Sequence, residues 1–110
     1  MIPHTKFNRN EKKRQFCINV YLIVAPTHEK IRSKIKYNRS KYRLYIIKVS
    51  KATDLNSIKK QGYDGRIDKI YVLSEPDVDK YIKKKPSLLN AAIMVYSEES
   101  CIKELNDKLQ

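Results

Sequence analysis

Residues 16–25 read FCINVYLIVA, and this apolar run, rich in β-branched residues, decides the fold. A run without polar alternation is typical of a strand that is buried on both faces. Stretches of similar character predict further strands at 42–49, 67–73 and 91–96. Helices are predicted at 28–38, 52–61 and 76–85, and after Ser97 as the N-cap. Because strands alternate with helices, the sequence predicts an α/β domain in which helices flank a central sheet.

Length and composition limit the class of protein. The chain has 110 residues, of which 41% are hydrophobic and 33% are charged. This length fits one domain, and the apolar fraction is too high for a disordered chain. No apolar run reaches the roughly 18 residues that would span a bilayer. We therefore expect a flexible basic arm at 1–15, a single α/β domain at 16–110 and no membrane partner.

The positive charge is concentrated in the first half of the chain. Residues 1–51 have a net charge of +12 (14 Lys or Arg against two acids), whereas residues 52–110 have ten of each and a net charge of zero. Nucleic acid is the commonest partner for such an excess, because Lys and Arg displace counterions from phosphates. Tyr37 and Tyr42 interleave with these cations, a mixture that suits phosphates and exposed bases. The predicted nucleic-acid-binding residues are Lys12, Lys13, Arg14, Lys30, Lys34, Lys36, Arg39, Lys41, Arg43 and Lys51.

Cysteine and glycine usage excludes several kinds of site. Cys17 and Cys101 have no metal-binding spacing with each other or with a histidine, so both are predicted to be buried, reduced thiols. Reduced thiols indicate a cytoplasmic or other reducing intracellular compartment. With two glycines, the chain has neither a dinucleotide-binding motif nor a P-loop, and no cofactor is expected. Its abundance of Lys, Ile and Tyr is typical of an AT-rich genome such as that of a virus or mobile element.

The middle of the chain resembles a known family. Residues 48–76 read KVSKATDLNSIKKQGYDGRIDKIYVLSEP. In order, spacing and residue type this segment is similar to the PD-(D/E)XK (restriction-endonuclease-like) nuclease superfamily, in its small DNA-repair and phage-type branch. The resemblance implies a central four- to five-stranded mixed sheet flanked by helices. It also implies a nucleic-acid surface and a metal site built from an acid on one strand and Glu-x-Lys on its neighbour.

The metal site implied by this resemblance is degenerate here. Asn19 stands where the first acid is expected, Ile46 stands in place of the Glu, and Lys48 alone is kept. Carboxylates are the usual ligands of Mg²⁺, whereas an amide offers one neutral oxygen and isoleucine offers none. The leading prediction is therefore a nucleic-acid-binding protein, with DNA as the expected partner and without standard metal-dependent catalysis.

Two other functions stay open. One is a Mg²⁺-dependent DNA or RNA endonuclease with relocated ligands such as Asp54, Asp64 or Glu75, for which the candidate catalytic residues are Lys48, Asn19 and Asp54. Mg²⁺ is a cofactor only in that case. The other is a basic protein-interaction module that binds an acidic partner. A homodimer also stays open.

The direction of the first two strands discriminates between two folds. Antiparallel neighbours favour the nuclease-like sheet, and parallel neighbours favour a small doubly wound parallel sheet. In the parallel case acids follow the first and third strands, where Toprim-type nucleases hold Mg²⁺ at the carboxyl ends of the sheet. These acids are Glu29 after the first strand and Glu75, Asp77 and Asp79 after the third. The last three also suit the first turn of a helix.

Overall fold

A computed structural model describes residues 17–58 and 69–110. Within these ranges four strands occur where strands were predicted: β1 (Ile18–Val24), β2 (Tyr42–Lys48), β3 (Lys69–Leu73) and β4 (Ile93–Val95). The predicted basic arm at 1–15 lies outside the described residues. So do four of the candidate site residues, namely Lys12, Lys13, Arg14 and Asp64.

The described strands form one sheet in the order β2-β1-β3-β4, and every neighbouring pair is parallel. The predicted mixed sheet is therefore wrong, whereas the four-stranded α/β architecture with flanking helices is confirmed. Parallel neighbours need a crossover connection, because the chain must return to the end of the sheet where the previous strand began before the next strand can start. The helical segments between the strands supply these crossovers, as the alternative doubly wound arrangement requires.

Two 3₁₀ segments and three α-helices that lie wholly within residues 17–58 and 69–110 flank the sheet. They are η1 (Pro26–Lys34), η2 (Ala52–Asn56), α1 (Pro76–Ile82), α2 (Pro86–Ala91) and α3 (Glu98–Lys108). At the start of α3 the Ser97 side chain accepts a hydrogen bond from the Ser100 N–H (3.1 Å), which confirms the predicted N-cap. The helix predicted at 52–61 is a 3₁₀ segment at its start, and its last residues lie in the part of the chain that is not described.

The first helical segment is shorter than predicted. The pattern indicated 28–38, but η1 ends at Lys34 and Ile35 has an extended backbone (φ −101°, ψ 123°). The N–H of Lys36 donates to Oδ1 of Asn106 at 2.7 Å. This distant side chain satisfies a backbone group that a continuing helix would have bonded, so the chain leaves η1 without an unpaired donor.

Pro86 begins a helix that the sequence pattern missed. It directly follows the helix predicted at 76–85, and it occupies the first turn of α2. Proline suits that position because its missing N–H would have no partner in the first turn of a helix. Leu88 and Leu89 of α2 pack against the core, and the strand predicted at 91–96 shortens to Ile93–Val95.

The core consists of two layers, one on each face of the sheet. Ile31 and Ile35 of the η1 region, with Leu105 and Leu109 at the end of α3, cover the first face. Residues of η2, α1 and α2 cover the second. Val20–Val24 of β1 are fully buried. The sheet therefore has helices on both sides of its central strand, which explains why residues 16–25 lack polar alternation.

The two cysteines differ in burial. Cys17 is half-buried and Cys101 is fully buried, and both are free thiols. Burial raises the pKa of the Cys101 thiol to about 11, so this thiol stays protonated at neutral pH. The predicted burial is confirmed for Cys101, whereas Cys17 is more exposed than expected.

Across residues 17–58 and 69–110, no helix has both the length and the apolar character needed to cross a lipid bilayer.

Candidate nucleic-acid interface

An open groove of about 730 Å³ is formed by the second half of η1 and the segment that follows it. This volume lies within the roughly 300–1,000 Å³ that is usual for ligand sites. Among the lining residues that the structure describes, four are basic and none is acidic. The lining consists of Lys30, Arg32, Ser33, Ile35, Lys36, Tyr37 and Arg39, and is called the basic groove below.

The end of α3 holds the backbone of the basic groove in place. The N–H of Asn38 donates to the carbonyl of Leu109 at 2.8 Å, and the N–H of Lys36 donates to Asn106 as described above. Gln110 Nε2 donates to the Lys36 carbonyl at 3.0 Å. These bonds fix both sides of one peptide segment, so the groove keeps its shape without a ligand.

Arg32 is held against the sheet edge. Its Nη2 donates to the carbonyl of Leu44 at 2.7 Å. In the described sheet β2 is an edge strand, and Arg32 satisfies one of the carbonyls on this edge. The guanidinium therefore has a fixed position in the groove wall while it keeps its full positive charge.

The cations of the basic groove are not neutralised within the described residues. In the described ranges, no carboxylate lies within 4 Å of the charged groups of Lys30, Arg32, Lys36 or Arg39. The Arg39 guanidinium carbon lies 5.7 Å from the centre of the Tyr37 ring. Like charges that share one concave surface raise the local concentration of anions, so this groove is an anion-attracting site.

The structure divides the predicted basic residues into separate groups. Lys30, Lys36 and Arg39 line the basic groove, and Arg32 joins them although the sequence reading did not select it. The sequence places Arg32 in the same basic run but gives no sign that it faces the same way. The other predicted cations in the described ranges do not line the groove. They are Lys34, Lys41, Arg43 and Lys51.

Three of those four cations have neighbours that account for their positions. Lys34 Nζ lies 2.8 Å from Glu98 Oε1. Lys41 Nζ lies 5.8 Å from the centre of the Tyr42 ring. Hydrogen bonding with Tyr45 raises the pKa of Arg43. Lys51 is exposed at the start of η2.

The predicted catalytic residues Asn19 and Lys48 lie at opposite ends of the sheet. Asn19 is buried near the start of β1, whereas Lys48 pairs in register with Val24, five positions further along that strand. At about 3.3 Å per residue this separates them by roughly 16 Å. Lys48 Nζ instead lies 3.2 Å from Glu29 Oε2. The structure therefore does not bring Asn19 and Lys48 together into one site.

Asp54 is bound to the backbone at the start of η2. Its Oδ2 accepts hydrogen bonds from the N–H groups of Ser50 (2.8 Å) and Lys51 (3.1 Å). The Ser50 N–H is the main reason that the pKa of Asp54 is lowered. This carboxylate acts as a cap for a short helical segment, and capping alone explains its environment.

A group of paired charges lies at the carboxyl ends of β1 and β3. His28 Nε2 is 3.0 Å from Glu75 Oε2, and His28 Nδ1 is 2.8 Å from Glu98 Oε2. Lys34 also contacts Glu98, and the name charge cluster is used below for His28, Lys34, Glu75 and Glu98. Carboxylates only accept hydrogen bonds, so both bonds of His28 form together only when both ring nitrogens carry hydrogen. Hydrogen bonding with Lys34 makes the largest contribution to lowering the pKa of Glu98, and hydrogen bonding with His28 makes the next largest.

The sequence reading named Glu75 but missed the two residues that give the charge cluster its form. His28 and Glu98 are 70 residues apart in the chain. Because the described strands are all parallel, the segments that follow β1, β3 and β4 lie at the same end of the sheet, where they bring His28, Glu75 and Glu98 together. The parallel alternative places acids after the first and third strands at this end of the sheet, but it does not indicate that His28 bonds to Glu75 and Glu98.

The other acids after β1 and β3 do not form a metal site with the cluster. Glu29 pairs with Lys48. The Ser74 hydroxyl donates to the carboxylate of Asp79, with both carboxylate oxygens within 2.9 Å of its oxygen. Asp77 is exposed in the first turn of α1. In the part of the chain that the structure describes, no three His, Cys, Asp or Glu side chains are grouped to hold a metal ion.

Comparisons with protein-family models, with curated proteins and with solved structures found no match to this chain. The chemistry of the basic groove is therefore the basis for a functional proposal.

Proposed function

We propose that this protein binds nucleic acid through the basic groove. The observation that carries the proposal is the convergence of four basic side chains on one concave surface, where no acid is found among the described lining residues. Phosphates are the anions that such a surface suits, because Lys offers a point charge and Arg offers a fork of donors that matches phosphate oxygens. Binding of this kind depends on the backbone of the nucleic acid and carries little sequence preference.

The groove predicts a particular salt dependence. Each phosphate contact contributes a slope of about −0.7 (single strand) to −0.9 (duplex) to the logarithm of affinity against the logarithm of salt. Four contacts, from Lys30, Arg32, Lys36 and Arg39, therefore weaken binding roughly 50- to 150-fold between ~50 and ~200 mM salt. Any contacts from the basic residues at 12–14 steepen this dependence.

The proposal concerns binding without metal-dependent cleavage. Asn19 and Lys48 lie at opposite ends of the sheet, and Ile46 has no atom that binds a cation. The proposal does not require a nuclease-like fold with a mixed sheet, since the described strands are all parallel. The groove's geometry and charge support it independently of the family resemblance.

A charge-removal variant tests the proposal. Lys30→Ala, Lys36→Ala and Arg39→Ala are combined, and binding to fluorescently labelled oligonucleotides is measured by anisotropy at several salt concentrations. Loss of three phosphate contacts is expected to weaken binding on the order of 100-fold at ~0.1 M salt and to make the salt slope shallower by ~2–3. The loss is expected to be alike for unrelated base sequences.

A matched control removes the same charge elsewhere. Lys83→Ala, Lys84→Ala and Lys103→Ala also delete three positive charges, from exposed positions outside the groove. This variant is expected to bind within about threefold of the unmodified protein, because its charges lie away from the phosphates and act only through screened long-range attraction. The proposal is wrong if neither single-stranded nor duplex probes bind at ~50 mM salt, or if both variants lose affinity equally.

A further inference from the structure

We propose that the ligand of the basic groove is single-stranded nucleic acid, one base of which stacks on Tyr37. This inference rests on the proposed function and adds the strand state of the ligand and the residue that reads it. Tyr37 is the aromatic residue that lines the groove, and it stands among Lys30, Lys36 and Arg39. An aromatic ring within a cationic groove is the arrangement by which proteins hold single strands.

The ring of Tyr37 has a fixed position. It is half-buried, and it packs against the core layer that contains Ile35 and Leu109. The backbone on both sides of Tyr37 bonds to the end of α3, through Lys36 and Asn38. A ring that is already ordered loses little conformational freedom when a base stacks on it, and this favours binding.

Tyr42, the second tyrosine among the basic residues, is not available for stacking. It is buried, and its hydroxyl donates to the carbonyl of Lys108 at 3.4 Å. The two tyrosines are equivalent candidates in the sequence, but the fold assigns one to the core and the other to the groove.

Arg39 lies over the Tyr37 ring at a distance that permits exchange. Its guanidinium carbon is 5.7 Å from the ring centre, close to the outer limit of about 6 Å for a cation–π contact. A base that stacks on Tyr37 replaces this weak contact. Arg39 then turns to the phosphate of the same nucleotide, so the incoming base and the displaced cation both gain a partner.

The mixture of apolar and basic residues in the groove lining favours a single strand over a duplex. Ile35 and Tyr37 supply an apolar part of the lining, and the basic side chains surround it. A duplex keeps its bases paired and stacked, so it offers only its phosphates and groove edges to a protein. A single strand offers both its phosphates and a free base face, and therefore uses the whole lining.

The experiment compares four probes of equal length: a single-stranded DNA, the matching RNA, the DNA duplex, and a single strand with abasic sites that keeps the phosphates. Unmodified protein is expected to bind the two complete single strands about 5- to 100-fold more tightly than the abasic strand, because stacking is lost in the latter. The duplex is expected to bind no more tightly than the abasic strand.

Two substitutions of one residue isolate the stacking. Tyr37→Leu keeps an apolar side chain but removes the ring, and is expected to weaken single-strand binding about 5- to 100-fold while abasic binding changes less than twofold. Tyr37→Phe keeps the ring and is expected to bind within twofold. Thermal unfolding followed by circular dichroism shows that both variants are folded before binding is compared.

The outcomes separate this inference from the proposed function. If the duplex binds as tightly as the single strands, or if Tyr37→Leu binds them normally, stacking is wrong while phosphate binding by the groove stands. If the protein binds none of the four probes at ~50 mM salt, the proposed function itself is wrong.

Discussion

The basic groove and the charge cluster share one short helical segment, but their charges have opposite fates. Lys30 and Arg32 of η1 line a groove in which residues 17–58 and 69–110 place no acid. His28 and Lys34, from the same segment, bond to carboxylates of α3 and of the loop before α1. Whether the fold brings a carboxylate next to a cation decides whether that cation is free to bind a ligand.

Helix α3 accounts for the difference between the two regions. Its first residue, Glu98, brings a carboxylate to the charge cluster. Its other end brings the neutral groups of Asn106, Leu109 and Gln110 to the basic groove. The groove atoms to which those groups bond are the backbone atoms of Lys36 and Asn38. One helix therefore neutralises the cations at one end and orders uncompensated cations at the other.

The largest effect that would test this role of α3 is expected at Leu109. Its side chain is fully buried beneath the groove, so Leu109→Ala removes packed methyl groups and leaves a cavity. The free energy of unfolding should fall by about 2–5 kcal/mol, as measured by urea denaturation. Nucleic-acid affinity should fall severalfold, because the backbone around Tyr37 loses its rigid support.

An exposed position supplies the control for Leu109. Ile93 is 45% exposed on the edge strand β4, and Ile93→Ala should change stability by no more than about 1 kcal/mol. If both substitutions cost the same, the end of α3 is not the support that the structure indicates.

A smaller loss of stability is expected at Asn106, whose side chain also supports the basic groove from the end of α3. Asn106→Ala removes the acceptor of the Lys36 N–H, and one such bond contributes about 1 kcal/mol to stability. The loss should appear in urea denaturation together with weaker binding of nucleic acid. Asp107→Ala changes the neighbouring exposed residue and should leave stability unchanged. Equal effects of the two substitutions would contradict a specific role for the Asn106 side chain.

The smallest effect is expected in the charge cluster, as a change in pH dependence. Lys34 and His28 lower the pKa of Glu98, so its ionised form stabilises the folded state. This stabilisation is present above the ordinary pKa of 4.5 and is lost as the pH falls through the lower folded-state value. Compared with the unmodified protein, Glu98→Gln should therefore be less stable near neutral pH, with a difference that shrinks below about pH 4.

The same variant tests whether the charge cluster and the basic groove act independently. Glu98→Gln alters the charge cluster but no residue of the basic groove, so its nucleic-acid affinity should stay within about threefold of normal. An affinity loss as large as that of the groove variants would show that the two regions are not separate.

The elements of the fold were predictable where burial is strong. The continuous apolar character of β1 predicted a strand covered on both sides, and the sheet confirms it. Strand direction was not predictable from the same residues, because hydrophobicity does not record which way a neighbour runs. The expected mixed sheet came from the family resemblance. The end of η1 at Lys34 was missed because it depends on Asn106, 70 residues away from Lys36.

The candidate site was predictable as a region and not as a set of side chains. The excess of cations before residue 51 indicated the segment that forms the groove. The sequence could not separate Lys34, which is paired, from Lys36, which lines the groove, because the acid that pairs with Lys34 comes from α3. It could not separate Tyr37 from Tyr42 either, since burial of each ring depends on where the end of α3 lies.

The central position of β1 has a consequence for how the chain is made. Both neighbours of β1 come later in the sequence, β2 from Tyr42 and β3 from Lys69. During synthesis β2 is therefore available to pair with β1 before β3 is, and the backbone N–H and C=O groups on the other edge of β1 stay unpaired until β3 has left the ribosome. Such an edge is a template for association with other chains. Nascent molecules that stall before residue 73 should therefore be the ones that depend most on chaperones.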